Sequence, residues 1–375
     1  MKICFFGTYD KYRLRNKVLI KGFRKNGVEV LECHFPLWEG IADKSQVLNF
    51  QKIVKKIYSA FLAYPFLIIK YIFAPCHDLV IVGYLGHFDV FIAKVLAFLR
   101  GKKVVLNVHI SLYDTVVEDR KIVAEGNVLA KFLYYLDKTA CLVADKILVD
   151  TDEYKRYFVE KFGLPQKKFI TVYVGADEEL FYPEHTNKNP DIFLVLFYGQ
   201  FIPLQGVEYI IRAAAELFSH KDIQFRLVGK GQVKEEMVAL SRKLNVNNIR
   251  WIDWATVEKL REMINEADVC LGVFGKSEKS ARVIPNKVFQ PSACARPIIT
   301  KDCAGVREIY LDKHDALLCK NAWELSKDIL FLKANKNLRE KLARNAFKTF
   351  EDKLMPVKIC KRFLDVLVKE KVIKV

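Results

Sequence analysis

The sequence has nine cysteines and no C-x-x-C pair among them. Scattered and odd in number, they exclude a disulfide framework and a thiolate zinc site, and they imply reduced thiols in a cytoplasmic compartment. Histidine and cysteine nowhere cluster with metal-ligand spacing, so no metal and no resident cofactor are expected. Walker loops, a Ser-His-Asp order and RNA-binding aromatic motifs are missing. Low-complexity tracts and short internal repeats are missing too. Acidic residues are in deficit, 44 against 61 Lys and Arg, for a net charge of +17. Residues 1–110 hold 17 basic and 7 acidic side chains. Such a surplus suits an anionic partner, and the charge is too spread out, without a recognition element, to favour nucleic acid.

Long uncharged apolar runs are also absent. The most apolar stretch is IVKKIYSAFLAYPFLIIKYIFA (53–74), which carries three lysines and a proline. Its uninterrupted part is too short to span a bilayer. Two readings stay open: an amphipathic segment lying peripherally on an anionic membrane, or a helix packed on the first sheet. The opening MKICFFGTYD has too short an apolar run for a signal peptide and reads as a strand.

What the chain does have is a strand–helix rhythm. Strand-like runs fall at 2–7, 28–33, 79–84, 103–110, 146–150 and 169–175, with helical patterns at 14–26, 87–99, 128–142 and 152–162. Continuous apolar strands alternating with helices mean parallel sheets covered on both faces. The polar run EHTNKNPD (184–191) has linker composition, and the rhythm restarts at 192–199, 223–229, 267–274 and 296–300. The expected class is α/β, with two doubly wound Rossmann-like domains facing a central cleft. The expected boundaries are 1–190, 191–350, and a C-terminal helix in 351–375 crossing back to the first domain.

Three strand ends of the second domain carry glycine: FYGQF with Gly199, LVGKGQ with Gly229 and Gly231, and VFGKS with Phe274, Gly275 and Lys276. Gly7 and Thr8 end the first strand. Glycine there lets backbone amides approach a ligand, and the set suggests a nucleotide. In RVIPNKVFQPSACARPIIT (282–300), Pro285 suits the start of a helix running from Asn286 to about Cys294. Such a start presents unpaired amides and the positive end of a dipole. Arg282 and Lys287 add full charge, with Lys276 and Lys279 just upstream, so a nucleotide diphosphate is the expected guest. The competing reading is an ordinary helix with solvated lysines.

Over most of its length the chain resembles the retaining GT-B glycosyltransferases of family 4, the glycosyl transferases group 1. The resemblance lies in FYGQFIPLQGVEYIIRAA, FRLVGKGQ, WIDWATVEKLREMINEADVCLGVFG and VIPNKVFQPSACARPIIT, and in ISLYDTVVEDR and VGADEELFYP nearer the N-terminus. It implies metal-independent transfer of a sugar from a nucleotide-diphosphate sugar, the co-substrate, to a hydroxyl. With a basic, partly apolar first domain it suggests a sugar or lipid-linked acceptor at the membrane face, in cell-envelope polysaccharide or glycolipid assembly. The alternative is a non-catalytic GT-B protein that binds a nucleotide sugar or a partner enzyme. The family's Arg and Lys in its G-R-x4-K-G loop are replaced here by Gln200 and Gln205, and its Glu-x7-Glu by Arg282 and Gln290. Cationic duty would then have moved to Arg282, helped by Lys276 or Lys287. The resemblance also implies His109 near the donor sugar, the alternative being a packed strand-end histidine, and Asp177 as a turn former; Asp114, the next polar residue of the His109 loop, is a candidate to orient an acceptor hydroxyl or else a helix or turn cap. The resemblance puts Asp253 and Trp254 at the base, with Trp254 stacked or in the core, and the Pro285–Gln290 stretch, including Val288, on the donor.

Overall fold

The computed structural model describes residues 1–40 and 50–373, and for residues 50–58 the helical backbone alone. Side chains 53–58 of the apolar segment 53–74 thus lie outside the described residues. The chain divides into two compact units, Met1–Val174 with Pro356–Val375, and Gly175–Met355.

The first unit runs β1 (Lys2–Gly7), α1 (Leu14–Lys25), β2 (Glu29–His34), α2 (Phe50–Ile72), β3 (Leu79–Val82), α3 (Asp89–Leu99), β4 (Lys103–Asn107), α4 (Val128–Val143), β5 (Lys146–Val149), α5 (Asp152–Phe162) and β6 (Phe169–Thr171). All six strands pair in parallel, in the order β2-β1-β3-β4-β5-β6. The apolar run of β3 is buried along its whole length, as a central strand covered on both faces must be. Thr151 caps α5 by accepting from the Tyr154 amide, and Gly163 ends it in the left-handed region. Sequence expectation overran three strands of this unit by two residues or more: β3 stops at Val82, β4 at Asn107 and β6 at Thr171. His109, beyond β4, has φ 49°, which no strand tolerates.

The second unit runs β7 (Phe193–Tyr198), α6 (Val207–Glu216), β8 (Ile223–Val228), α7 (Lys234–Lys243), β9 (Ile249–Ile252), α8 (Val257–Glu266), β10 (Val269–Leu271), α9 (Glu278–Arg282), α10 (Asn286–Ala293), β11 (Ile298–Lys301), α11 (Ala304–Arg307), β12 (Leu317–Cys319), α12 (Ala322–Ala334) and α13 (Lys336–Thr349). Its parallel sheet has the order β12-β11-β10-β7-β8-β9. Strand order reverses between β7 and β10, and a crevice opens at the carboxyl ends of strands at such a reversal.

The division lies at residues 174–175 rather than near 190. The polar run 184–191 is fastened to the second unit, which explains the difference. The Glu184 amide donates to Asn265 Oδ1 at 3.0 Å, the Thr186 hydroxyl donates to the Asn265 carbonyl at 3.2 Å, and Lys188 pairs with buried Asp268. The last helix, α14 (Pro356–Lys369), belongs to the first unit and packs on α1. A Cβ at Gly22 would lie 2.2 Å from the Pro356 carbonyl oxygen, so only glycine lets the two helices approach this closely. Phe23 and Phe363 fill the seam with ring centroids 5.9 Å apart. Lys358, Lys361, Arg362 and Lys369 point to solvent. Among the described residues no helix is long and apolar enough to cross a membrane.

Candidate functional site

The reversal point of the second sheet collects the glycine turns. Gly199 follows β7 with φ 144° and Gly229 follows β8 with φ 146°. A Cβ at Gly229 would stand 1.9 Å from the Gly199 carbonyl oxygen, so the two strand ends touch through bare backbone. A Cβ at Gly199 would meet Lys287 Nζ at 2.7 Å. The turn Pro203–Gln205 is tied to the end of β10, because the Phe274 amide donates to the Gln205 carbonyl at 3.0 Å. Gly275 is clasped next to it: Ser280 Oγ and Lys301 Nζ donate to its carbonyl at 2.6 and 2.7 Å.

Helix α10 starts beside this cluster. Pro285 (φ −72°, ψ 149°) leads into it, and no side chain caps its first turn. Lys287, the second helical residue, does not reach solvent. It is 6 % exposed, its Nζ donates to Gln205 Oε1 at 2.5 Å, and the Phe197 ring centroid lies 5.4 Å away. Among the described residues no carboxylate pairs with it. Burial alone pushes its pKa down to about 7. The competing reading of a solvated lysine is therefore corrected: the amine turns inward beneath Gly199, onto Gln205, the glutamine that stands where the resemblance expects a loop lysine.

The remaining donor-side residues surround this lysine unevenly. Arg282 ends α9 with its side chain 14 % exposed and Nη1 3.8 Å from Glu278 Oε2. Lys279 is buried, whereas Lys276 is exposed with Nζ 5.5 Å from the Tyr209 ring centroid. The Val288 amide donates to the Pro285 carbonyl, Asn286 is exposed, and Gln200 and Gln290 are half-buried. Gly231 is exposed beyond β8. Trp254 is 72 % exposed, which excludes the core reading; Trp251 takes the inner place, 6.0 Å from the Phe201 ring. Asp253 pairs with Lys234 at 2.9 Å and Lys230 at 3.4 Å, which holds its carboxyl below the usual range.

The first-unit residues are spent on their own fold. Thr8 is buried; its amide donates to Asp89 Oδ2 at 2.7 Å and its hydroxyl to the same carboxylate at 3.0 Å. A Cβ at Gly7 would lie 2.4 Å from Asp89 Oδ2. The Gly7–Thr8 turn is thus filled by a carboxylate of this chain instead of a nucleotide, a correction to the sequence reading. Burial raises Asp89 to about 6. Asp114 is fully buried and accepts from the Tyr154 hydroxyl at 2.8 Å, which keeps it from a solvent-borne acceptor in this conformation. The His109 ring packs edge-on to Tyr84 at 5.2 Å. Asp177, at the start of the second unit, accepts from the Glu179 amide at 3.2 Å and shapes its turn. Asp137 of α4 accepts from Ser111 Oγ at 2.6 Å and from the Tyr113 amide at 2.9 Å, and so fixes the loop after His109. Sequence reasoning missed Asp89, Lys234 and Lys301, which stand alone in ordinary helix and strand patterns. Among the described residues no three acidic, His or Cys side chains converge as metal ligands.

Residues 178–349 match the glycosyl transferases group 1 family. The second unit is a glycosyl transferases group 1 domain. An uncharacterized glycosyltransferase of Methanocaldococcus jannaschii is 27% identical over 213 residues, 56% of each chain. The N,N'-diacetylbacillosaminyl-diphospho-undecaprenol alpha-1,3-N-acetylgalactosaminyltransferase of Campylobacter jejuni is 28% identical over 199 residues, 52% of this chain and 49% of that protein. The chain spans about half the length of the curated relatives it matches. Anabaena HepE in complex with UDP-glucose superposes with a TM-score of 0.68 at 14% identity, over 98% of this chain and 100% of that one. Sucrose-phosphate synthase of Thermosynechococcus elongatus gives 0.69 at 14% identity, over 99% of each. The fold is therefore GT-B. Within the group 1 domain, the cluster of Gly199, Gly229, Gln205 and Lys287 lies inside the matched segment.

Proposed function

We propose that the protein is a glycosyltransferase that moves a sugar from a nucleotide-diphosphate sugar to a hydroxyl, with retention and without a metal. One observation carries this reading: the buried amine of Lys287, at the start of α10, donates to a neutral amide oxygen and, among the described residues, pairs with no anion. Burying an unpaired cation is costly, and the cost is recovered when an anion arrives. The α10 amides and dipole favour the same guest. As the anomeric bond breaks, the leaving diphosphate gains charge, and Lys287 with the first amides of α10 would stabilise it. One such preorganised donor is worth about 3 kcal/mol. Arg282 is the second cation of the site. His109 is assigned to the sugar side and Trp254 to the base.

The acceptor side of the proposal is a lipid-linked sugar, as the name of the Campylobacter relative describes for that enzyme, in cell-envelope polysaccharide or glycolipid assembly. The replacement of the loop cations by Gln200 and Gln205 favours one other reading, a binder that no longer turns over. Thermal shift against a panel of nucleotide sugars, followed by turnover assays, separates the two. A ligand at about a hundred times its dissociation constant stabilises by about 2.7 kcal/mol. No response to any member would remove both readings, and binding without hydrolysis or transfer would leave the second.

Trp254→Ala should weaken nucleotide-sugar affinity about tenfold, since base–aromatic stacking contributes about 1–3 kcal/mol. Isothermal titration reads the change. Unaltered affinity would take Trp254 away from the base.

A further inference from the structure

We propose that the outer face of α2, α3 and α4 docks on an anionic lipid bilayer. The three helices lie side by side over the first sheet, and each hides a narrow inner stripe. In α2 this stripe is Ala63, Leu67 and Tyr71, with Tyr71 packed edge-on against Phe6 of β1 at 5.8 Å. In α3 it is Val90, Ala93 and Ala97, and in α4 it is Ala130 and Ala140.

The outer stripes are apolar as well, where a solvated helix would be polar. Phe66, Ile69 and Phe73 project from α2 and its end, Val95, Phe98 and Leu99 from α3, and Val128, Phe132 and Tyr135 from α4. Phe73 is 82 % exposed and Phe98 77 %. These stripes join into one surface. Phe88, just before α3, stacks on Phe132 of α4 at 6.5 Å. Arg100 donates to the carbonyls of Ile72 and Ala74 at 2.6 and 2.9 Å, which ties the ends of α2 and α3 together. Soluble monomers rarely leave so continuous an apolar surface uncovered.

Charge selects the occupant. In residues 59–73, 88–100 and 128–143 the only acids are Asp89 and Asp137, and both are buried. Lys70 and Lys131 are exposed on the same helices, Lys70 Nζ sitting 5.6 Å from the Phe66 ring, and Lys52, Lys55 and Lys56 precede them in the sequence of α2. An apolar surface carrying cations and no exposed anion suits an interface whose headgroups are anionic and whose interior is hydrocarbon. A second copy docked face to face would set like charges against each other. The surface belongs to the first unit and the donor site to the second, and the surface bears on the proposed reaction only through a lipid-linked acceptor, so the two fail separately.

The test is sedimentation of the full chain with phosphatidylcholine vesicles, with and without phosphatidylglycerol. Wild type should pellet with the phosphatidylglycerol vesicles, less as salt rises, and not with phosphatidylcholine alone. F98S/F132S and, separately, K70E/K131E should each weaken partitioning about tenfold or more. All four side chains are exposed, so the unfolding midpoint should stay at the wild-type value. Failure of wild type to pellet overturns the proposal, as does either variant pelleting like wild type. A wild-type dimer that F98S/F132S converts to monomer also overturns it, in favour of a second copy. Wild type that pellets but shows no nucleotide-sugar stabilisation keeps the surface and removes the glycosyltransferase reading.

Discussion

Lys287→Met should abolish the stabilisation of the protein by nucleotide-diphosphate sugars and lower kcat/KM by about a hundredfold or more. Methionine keeps the volume of the side chain and deletes its charge. The same change should stabilise the ligand-free protein at low pH. Lys287 has a folded pKa of about 7, below the ordinary lysine value of about 10.4 in the unfolded chain. Between those values the unfolded state binds the extra proton, so this group makes stability rise with pH from about 7 to about 10.4. Below 7 both states are protonated and the full penalty, a few kcal/mol, is present. Losing the penalty outweighs the donor that Gln205 Oε1 loses, which costs about 1–3 kcal/mol. Lys287→Met should therefore raise the unfolding midpoint at pH 6 and forfeit that gain by pH 10. The wild type carries a matching signature: a diphosphate recharges the amine, so binding at pH 8 should take up close to one proton. Calorimetry in two buffers of different ionisation enthalpy measures it. No proton uptake, together with unchanged donor affinity in Lys287→Met, would show that the diphosphate does not meet this side chain.

Gly229→Ala is expected to be the most damaging single-methyl change in the second unit. The new Cβ would sit 1.9 Å from the Gly199 carbonyl oxygen, and φ 146° is foreign to an L side chain. Backbone must move on both strand ends at once. The strain alone is about 1–3 kcal/mol, and the collision adds to it. The midpoint should fall by about 10 °C, at about 2–4 °C per kcal/mol for a unit of this size. Donor binding should fall with it, since the displaced carbonyl belongs to the residue lying over Lys287. Gly163→Ala is the control. Its φ is 63° and its added Cβ meets nothing within 4 Å, so only about 1 kcal/mol is at stake. Equal midpoints for the two variants would mean that the β7 and β8 ends are not held as closely as the structure has them.

The sheets were legible because their strands are buried on both faces. Runs such as FLVLFY and LVIV can hardly be read otherwise. Two strands escaped notice, β9 and β12, and both are edges of the second sheet. β12 is three residues long and β9 is half exposed, so neither has the continuous apolar run that marks a central strand. The start of α10 was readable from Pro285, a local signal. The inward turn of Lys287 was not, because it depends on Gly199 and Gln205, more than eighty residues away in the chain. The same holds for Gly7 and Thr8, whose partner Asp89 starts α3, more than eighty residues on. Local chemistry announces a turn; whether a ligand or a side chain of the same protein fills it is decided by distant contacts.

The most direct measurement is a crystal structure of the protein with an intact nucleotide-diphosphate sugar. The diphosphate should lie at the start of α10, with a phosphate oxygen within hydrogen-bond distance of Lys287 Nζ and of an amide at Asn286 or Lys287, next to Gly199. A diphosphate bound elsewhere, with Lys287 still donating to Gln205 alone, would contradict the account.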